Sequence, residues 1–178
     1  MTINCLGKLI DLSVPKVMGI LNVTPNSFYD RGRHSDEKSM LHLVEKMMYE
    51  GASFIDIGAY SSKPDAEFVS EQEEINRLIP VLELVLKNFP EILISVDTFR
   101  SNVAKTAIET GACMVNDISG GALDSGMMET IAEFRVPYIM MHMKGNPQTM
   151  QSLAQYSNIT KEMLYYFSEK VAHARSFG

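Results

Sequence analysis

The sequence predicts an α/β fold of successive βα units around a parallel sheet, and three observations carry that reading. Short apolar runs alternate with segments of helical period. Each run closes on polar residues: Asn22, Asp56, Asp97-Thr98, Asn116-Asp117 and His142. A pattern also recurs, since Gly51-Ala52-Ser53-Phe54-Ile55-Asp56-Ile57-Gly58 and Gly111-Ala112-Cys113-Met114-Val115-Asn116-Asp117-Ile118 both read Gly-Ala, apolar strand, then an acid or amide. In each copy glycine stops a helix, and the polar side chain arrives where the next strand ends.

The elements follow in order. Strands are predicted near 16–21, 53–57, 92–96, 113–116 and 137–141. Ser35, Asp36 and Glu37 open the first helix, whose Met40, Leu43, Val44 and Met47 share a face before Gly51 stops it. Ser70-x-x-Glu73 is a capping-box pattern ahead of Ile75, Leu78, Ile79, Leu82 and Leu86. Shorter helices are predicted at 100–109 and 124–134. A last one, at 158–176, carries Ile159, Met163, Phe167 and Val171. The thirteen methionines fall mostly in these stripes, as core filler.

Composition narrows the function. The 178 residues, 46% of them hydrophobic with only seven Pro, form one substantial domain with no internal boundary. A net charge of -6 without a basic, aromatic-interleaved cluster argues against nucleic acid as a partner. No apolar run approaches a membrane span and the N-terminus lacks a leader pattern, so a cytoplasmic protein without a membrane partner is expected. Cys5 and Cys113 lack metal-type spacing and read as reduced structural thiols.

Chemistry is expected at the strand ends, because a parallel α/β sheet gathers them on one face, where such folds bind ligands. The first passes into Asn22-Val23-Thr24-Pro25-Asn26-Ser27-Phe28-Tyr29-Asp30, a polar loop suited to a phosphate, a metal or a polar heterocycle. Asp97 only accepts hydrogen bonds, whereas Asn116 donates and accepts. Together they match the mixed N–H and N edge of a pterin-like heterocycle. Asp56, Asp117 and His142 serve equally well as caps or buried anchors. No Ser lies in a G-x-S-x-G elbow, which leaves a hydrolase triad unsupported.

Met18-Gly19-Ile20-Leu21-Asn22-Val23-Thr24-Pro25-Asn26-Ser27-Phe28, Ile55-Asp56-Ile57-Gly58-Ala59-Tyr60-Ser61-Ser62-Lys63-Pro64, Ser95-Val96-Asp97-Thr98, Val115-Asn116-Asp117-Ile118-Ser119-Gly120-Gly121 and Met141-His142-Met143-Lys144-Gly145-Asn146-Pro147-Gln148-Thr149-Met150-Gln151 resemble, in order and spacing, the bacterial dihydropteroate synthases. The resemblance implies a (β/α)8 TIM barrel that binds pterin. It also implies a transferase of folate biosynthesis that joins p-aminobenzoate to 7,8-dihydropterin-6-ylmethyl diphosphate. Carried over by motif, Asn22 matches a ligand of Mg2+ and diphosphate, Asp97 and Asn116 match the side chains that hold the pterin, and Met141 lies against its ring. Asp30 matches a carboxylate that stabilises positive charge on the pterin. Ser62 and Lys63 match a Thr-Arg pair that meets diphosphate and p-aminobenzoate. The implied partners are small-molecule substrates, with room for a homodimer of the complete enzyme.

Three positions depart from the family pattern. Asn26 stands where an Asp is customary, Lys63 lacks the planar fork of the usual Arg, and Asp65 replaces a Gly. Length departs too, since such a barrel needs about 250 residues and the chain supplies about five βα units. The expectation is a pterin-binding domain over 1–178 that is incomplete at its C-terminus and inactive alone. Two other readings share the Asp and Asn strand ends: a folate-handling methyltransferase-type domain, and a non-catalytic pterin-binding remnant. The Thr-Pro-Asn-Ser-Phe and Met-His-Met-Lys-Gly motifs favour the synthase.

Overall fold

The computed structural model describes residues 1–23, 33–60 and 68–178, apart from the side chains of 33–36. An antiparallel hairpin comes first, β1 (Thr2–Cys5) with β2 (Lys8–Asp11). Then β3 (Val17–Asn22), α1 (Arg33–Tyr49), β4 (Ala52–Gly58), α2 (Glu71–Asn88), β5 (Ile94–Asp97), α3 (Ser101–Thr110), β6 (Met114–Asp117), α4 (Met127–Phe134), β7 (Tyr138–Met140) and α5 (Ile159–Arg175) alternate. The five strands β3 to β7 pair in parallel in sequence order, so each helix crosses to the next strand and the sheet never reverses direction. Singly wound order of this kind is that of a (β/α)8 barrel, and the chain forms about its first five units.

Alternation along each strand sorts the side chains. Leu21, Ile55, Ile57, Ile94, Val96 and Val115 pack with the apolar faces of the helices, including Val44, Leu78, Leu82, Val85, Val103, Ala107 and Met127. Each such side chain contributes about 1.5–3 kcal/mol when removed from water, which makes this layer the main stabilising block. The other face is narrower and mixed. At its N-terminal end Phe54 and Met114 meet Cys5 and Cys113, with Met18, Leu93, Ile3 and Ile10 around them. The N-terminal hairpin thus seals the bottom of the sheet's inner face. Both thiols are free and buried, in keeping with the structural role expected of them, and burial pushes Cys113 up to about 12.

The five strands lie within a residue or two of their expected positions. The hairpin is not foreshadowed by the periodicity, because its strands are short and its turn uses Leu6 at positive φ before Gly7, where Asn-Gly would be the usual signal. Ser70 caps α2 by accepting from the Glu73 N–H at 3.2 Å, but the Glu73 carboxylate turns to Arg77 rather than closing the box. The first helix starts at Arg33, two residues ahead of the expected Ser35. The last helix differs more. Ile159 and Val171 are exposed and none of its residues is buried, because it is held by polar and aromatic contacts rather than by an apolar stripe.

Gly51 and Gly111 both end helices at positive φ, as the repeated Gly-Ala pattern requires, but their surroundings differ. A Cβ on Gly111 would sit 2.8 Å from Leu86 Cδ1, whereas one on Gly51 would meet nothing within 4 Å. Gly51→Ala should therefore cost only backbone strain, about 1 kcal/mol. Gly111→Ala adds overpacking and should cost about 2–4 kcal/mol. Urea denaturation of the two variants checks the order, which would be equal or reversed if α2 did not press on that turn.

Candidate functional site

Register builds the site. Across the sheet, Asn22 pairs with Gly58, Gly58 with Asp97, Asp97 with Asn116, and Asn116 with Ile139. Residues in one row of a parallel sheet point to the same face, so Asn22, Asp97 and Asn116 form a single line at the C-terminal strand ends, opposite the helix-packed layer. Two residues below, Ile20, Asp56, Ser95 and Met114 form the next row. The Asn116 Nδ2 donates to Asp56 Oδ2 at 3.0 Å, which ties the rows together and fixes the amide. Asp56 Oδ1 and Ser95 Oγ are buried without a hydrogen-bond partner among the described residues.

Gly58 makes the row possible. A Cβ there would stand 3.2 Å from both Cβ and Oδ2 of Asp97, so the Asp97 carboxylate occupies the space above a residue with no side chain. Burial raises Asp97 to about 7, and the carboxylates of Asp56, Glu74 and Asp117 add to the rise. A half-buried carboxyl poised near neutrality at a strand end is suited to a ligand that donates N–H groups.

The other expected positions sort themselves. Asn22 is exposed at its strand end, and Met141 follows β7 with its side chain partly open. Asp30, Ser62 and Lys63, with the departures Asn26 and Asp65, lie outside the described residues. Asp117 is an anchor: it accepts from the Ser119 and Gly121 N–H groups and from the Tyr138 hydroxyl at 2.6 Å, fixing the turn after β6. His142 is also structural, its ring 4.7 Å from that of Tyr166 and 5.7 Å from that of Tyr156. Tyr166 in turn donates to the carbonyl of Ser119 or Met141. Lys144 donates to Glu162 Oε2 and to the Gln155 carbonyl, both at 2.7 Å. The Met-His-Met-Lys-Gly stretch therefore docks α5, with Met141 just beyond the end of β7.

Two features escape sequence reasoning. Gly58 reads as a strand-terminal small residue, although its i+2 spacing from Asp56 places both on the same face. Glu74 reads as one more acid in the first turn of α2, yet it is fully buried. The signal was its position four residues before Leu78, on the helix's apolar stripe.

Among the described residues no group of three or more His, Cys, Asp or Glu is placed to cage a metal. Asn22 instead offers one neutral oxygen. That suits a hard cation sharing its shell with phosphate oxygens and water, the habit of Mg2+.

Comparison with known proteins places the chain in a family. A family model described as pterin binding enzyme matches residues 18–178. The chain belongs to the pterin binding enzyme family. Among relatives, the dihydropteroate synthase of Synechocystis is 44% identical over 162 residues, 91% of this chain and 56% of that one. That of Escherichia coli K12 is 41% identical over 172 residues, 97% of this chain and 60% of that one. The solved Yersinia pestis dihydropteroate synthase with a sulfonamide drug complex superposes with a TM-score of 0.88 at 37% identity, over 100% of this chain and 64% of that one. The Xanthomonas albilineans synthase with 4-aminobenzoic acid gives 0.87 at 34% identity, over 99% of this chain and 62% of that one. The chain thus spans less than two thirds of the length of these pterin binding relatives.

The raised Asp97 makes a signed prediction. The folded chain keeps this proton up to about pH 7. An unfolded Asp releases it near about pH 4. The stabilisation is therefore full below about pH 4 and is lost as pH rises through the folded value near 7. Asp97→Asn should remove that slope and be more stable than the parent at pH 8. Thermal unfolding of both from pH 5 to 8 checks this, and parallel curves would mean that Asp97 ionises normally.

Proposed function

We propose that this chain forms the pterin-binding part of a dihydropteroate synthase, which transfers a pterinylmethyl group from 7,8-dihydropterin-6-ylmethyl diphosphate to p-aminobenzoate. The observation that carries this reading is the row of Asn22, Gly58, Asp97 and Asn116 at the strand ends, with Asp97 raised to about 7 over a glycine that leaves it room. Relatives bearing the synthase name, and a solved relative in complex with 7,8-dihydropteroate, support it over a methyltransferase-type domain.

Asp97, ionised, accepts N–H groups from the pterin edge. Asn116, its amide steadied by Asp56, donates to a ring nitrogen or exocyclic oxygen and accepts through its own carbonyl. Met141 lies against the flat ring as a polarisable apolar surface. With the ring held, its methylene is presented toward the open side of the strand ends. There the aniline nitrogen forms a C–N bond as the C–O bond to diphosphate breaks, and the amine's surplus proton leaves to solvent. No covalent intermediate with the protein is needed.

Asn22 and the loop behind it receive the diphosphate. A Mg2+ ion bound there would supply charge neutralisation of the leaving group, with Asn22 as its protein ligand. By sequence, Asp30 offsets positive charge developing on the pterin, while Ser62 and Lys63 meet the anionic ends of the two substrates. Lys63 does so as a point charge rather than a fork. Such an enzyme acts on small molecules. No described helix is long and apolar enough to cross a membrane.

Two substitutions test the assignment, by calorimetry on this chain and on a version continued with the C-terminal strands of the Escherichia coli relative. Asp97→Asn should weaken binding of a pterin diphosphate by about 1–3 kcal/mol, since an acceptor is replaced by a group that also presents N–H. Unchanged affinity would reduce Asp97 to a structural role. Asn22→Ala should leave pterin binding intact but abolish the mutual tightening of Mg2+ and diphosphate. Metal synergy that survives the change would place the cation elsewhere.

A further inference from the structure

The proposed chemistry uses Asp97 and leaves the next residue, Thr98, without a task. Yet Thr98 is buried, and its hydrogen bonds run to three different elements. Its N–H donates to the Asn116 carbonyl on β6 at 3.0 Å. Its hydroxyl donates to Glu74 Oε1 on α2 at 2.7 Å and accepts from the Arg100 N–H, at the start of α3, at 3.2 Å. Glu74 is the far end of this link. It is fully buried in the first turn of α2, where a helix N-terminus favours a carboxylate, and its Oε2 accepts from Arg100 Nη1. Burial pushes the Glu74 carboxyl up, while Thr98 and Arg100 oppose the rise.

These bonds converge on the row. Asp97 pairs with Asn116 across the sheet, and the Thr98 N–H holds the carbonyl of that same Asn116. The spacing of the Asp97 and Asn116 side chains is thus set one residue further on, by a threonine that is itself fixed from α2. A hydroxyl fits this place because it donates and accepts at once. Valine has a similar shape and can do neither.

We infer that Thr98 and Glu74 are positioning residues for the pterin: Glu74 holds the Thr98 hydroxyl, and Thr98 holds Asp97 in register with Asn116. This deepens the synthase reading and takes the identity of the ligand from it, whereas the linkage itself rests on the described contacts. Glu74 also acts by charge. Burial raises Asp97 most, and the carboxylates that add to the rise are Asp56 on β4, Glu74 on α2 and Asp117 on β6, with Arg100 as the cation paired to Glu74. Removing the Glu74 charge therefore lowers Asp97, which stays an ionised acceptor to lower pH.

The variants Thr98→Val, Thr98→Ser and Glu74→Gln test this, in the 178-residue chain and in the version continued with the C-terminal strands of the Escherichia coli relative. The first readout needs no ligand: it is the protection of the residue 98 amide from hydrogen exchange, measured by NMR and corrected for intrinsic rates. Thr98→Val should lower that protection at least about tenfold, since nothing then holds the amide against Asn116 from behind. Thr98→Ser should stay within about threefold of the parent. Glu74→Gln trades a charge-assisted bond for a neutral one and should lie between them. The second readout is calorimetry with 7,8-dihydropterin-6-ylmethyl diphosphate at pH 8 and pH 6. Thr98→Val should bind at least about tenfold more weakly at both, and Thr98→Ser should match the parent within about twofold. The parent should lose about tenfold in affinity between pH 8 and pH 6, as Asp97 takes up its proton near 7, and Glu74→Gln at most about fourfold. A purely structural ion pair would leave that pH dependence alone. Unchanged protection in Thr98→Val overturns the linkage, with or without a ligand. Lost protection with unchanged pterin affinity overturns the role toward the pterin, and so does an equal pH loss in parent and Glu74→Gln. A parent that binds no pterin contradicts the synthase reading and the ligand role with it, while protection at residue 98 still judges the linkage. If Thr98→Val does not fold, Glu74→Gln decides by the same two readouts.

Discussion

Everything at the candidate site depends on the register of five parallel strands. Side chains alternate faces at each residue, so a slip of one position in any strand would carry its polar end into the helix-packed layer. The apolar residues hold the register. Ile57, Val96 and Val115 are buried among helices on the outer face, one residue before Gly58, Asp97 and Asn116. The energy that orders the site is thus hydrophobic and lies behind it, while the polar groups in front are spared the work of holding the fold together.

That division of labour explains why the row tolerates features that would otherwise be costly. Asp97 carries its carboxyl near neutrality beside Asp56, and Asp56 keeps one buried oxygen unpaired among the described residues. Such arrangements destabilise a folded chain unless the surroundings over-determine them. Here the outer apolar layer supplies the surplus, and the anchors Asp117 and Tyr138 fix the neighbouring turn. A ligand that donates N–H groups to the row relieves the strain, so affinity and local instability have the same origin.

Much of this was legible in the sequence. The strands announce themselves as apolar runs between Gly-terminated helices, and the residues ending them are those that the register lines up. Asn22, Asp97 and Asn116 could be named as polar residues at strand ends, whereas the face each one takes is set by register, which turns Asn116 to the row and the terminal Asp117 away from it. Asp56, Asp117 and His142 could not be divided between site and scaffold, since that depends on which partner lies across 20 to 60 residues of chain. Asp56 steadies Asn116, and His142 packs on Tyr166. Gly58 was hidden for another reason: its role is space left for a neighbour, which leaves no local pattern, whereas the burial of Glu74 shows only in its spacing from Leu78. The hairpin was hidden by its brevity, and the exposure of α5 by an apolar stripe that the described structure does not bury.

The central claim is that the strand-end row is where a pterin ring lies. A crystal structure of the protein with a bound 7,8-dihydropterin tests it most directly. The account predicts the ring's N–H edge within hydrogen-bond distance of Asp97 and Asn116, with Met141 against its face and Gly58 beneath the carboxylate. A ring bound instead in the cleft between the segment after β7 and α5, against His142 and Tyr166, would contradict it.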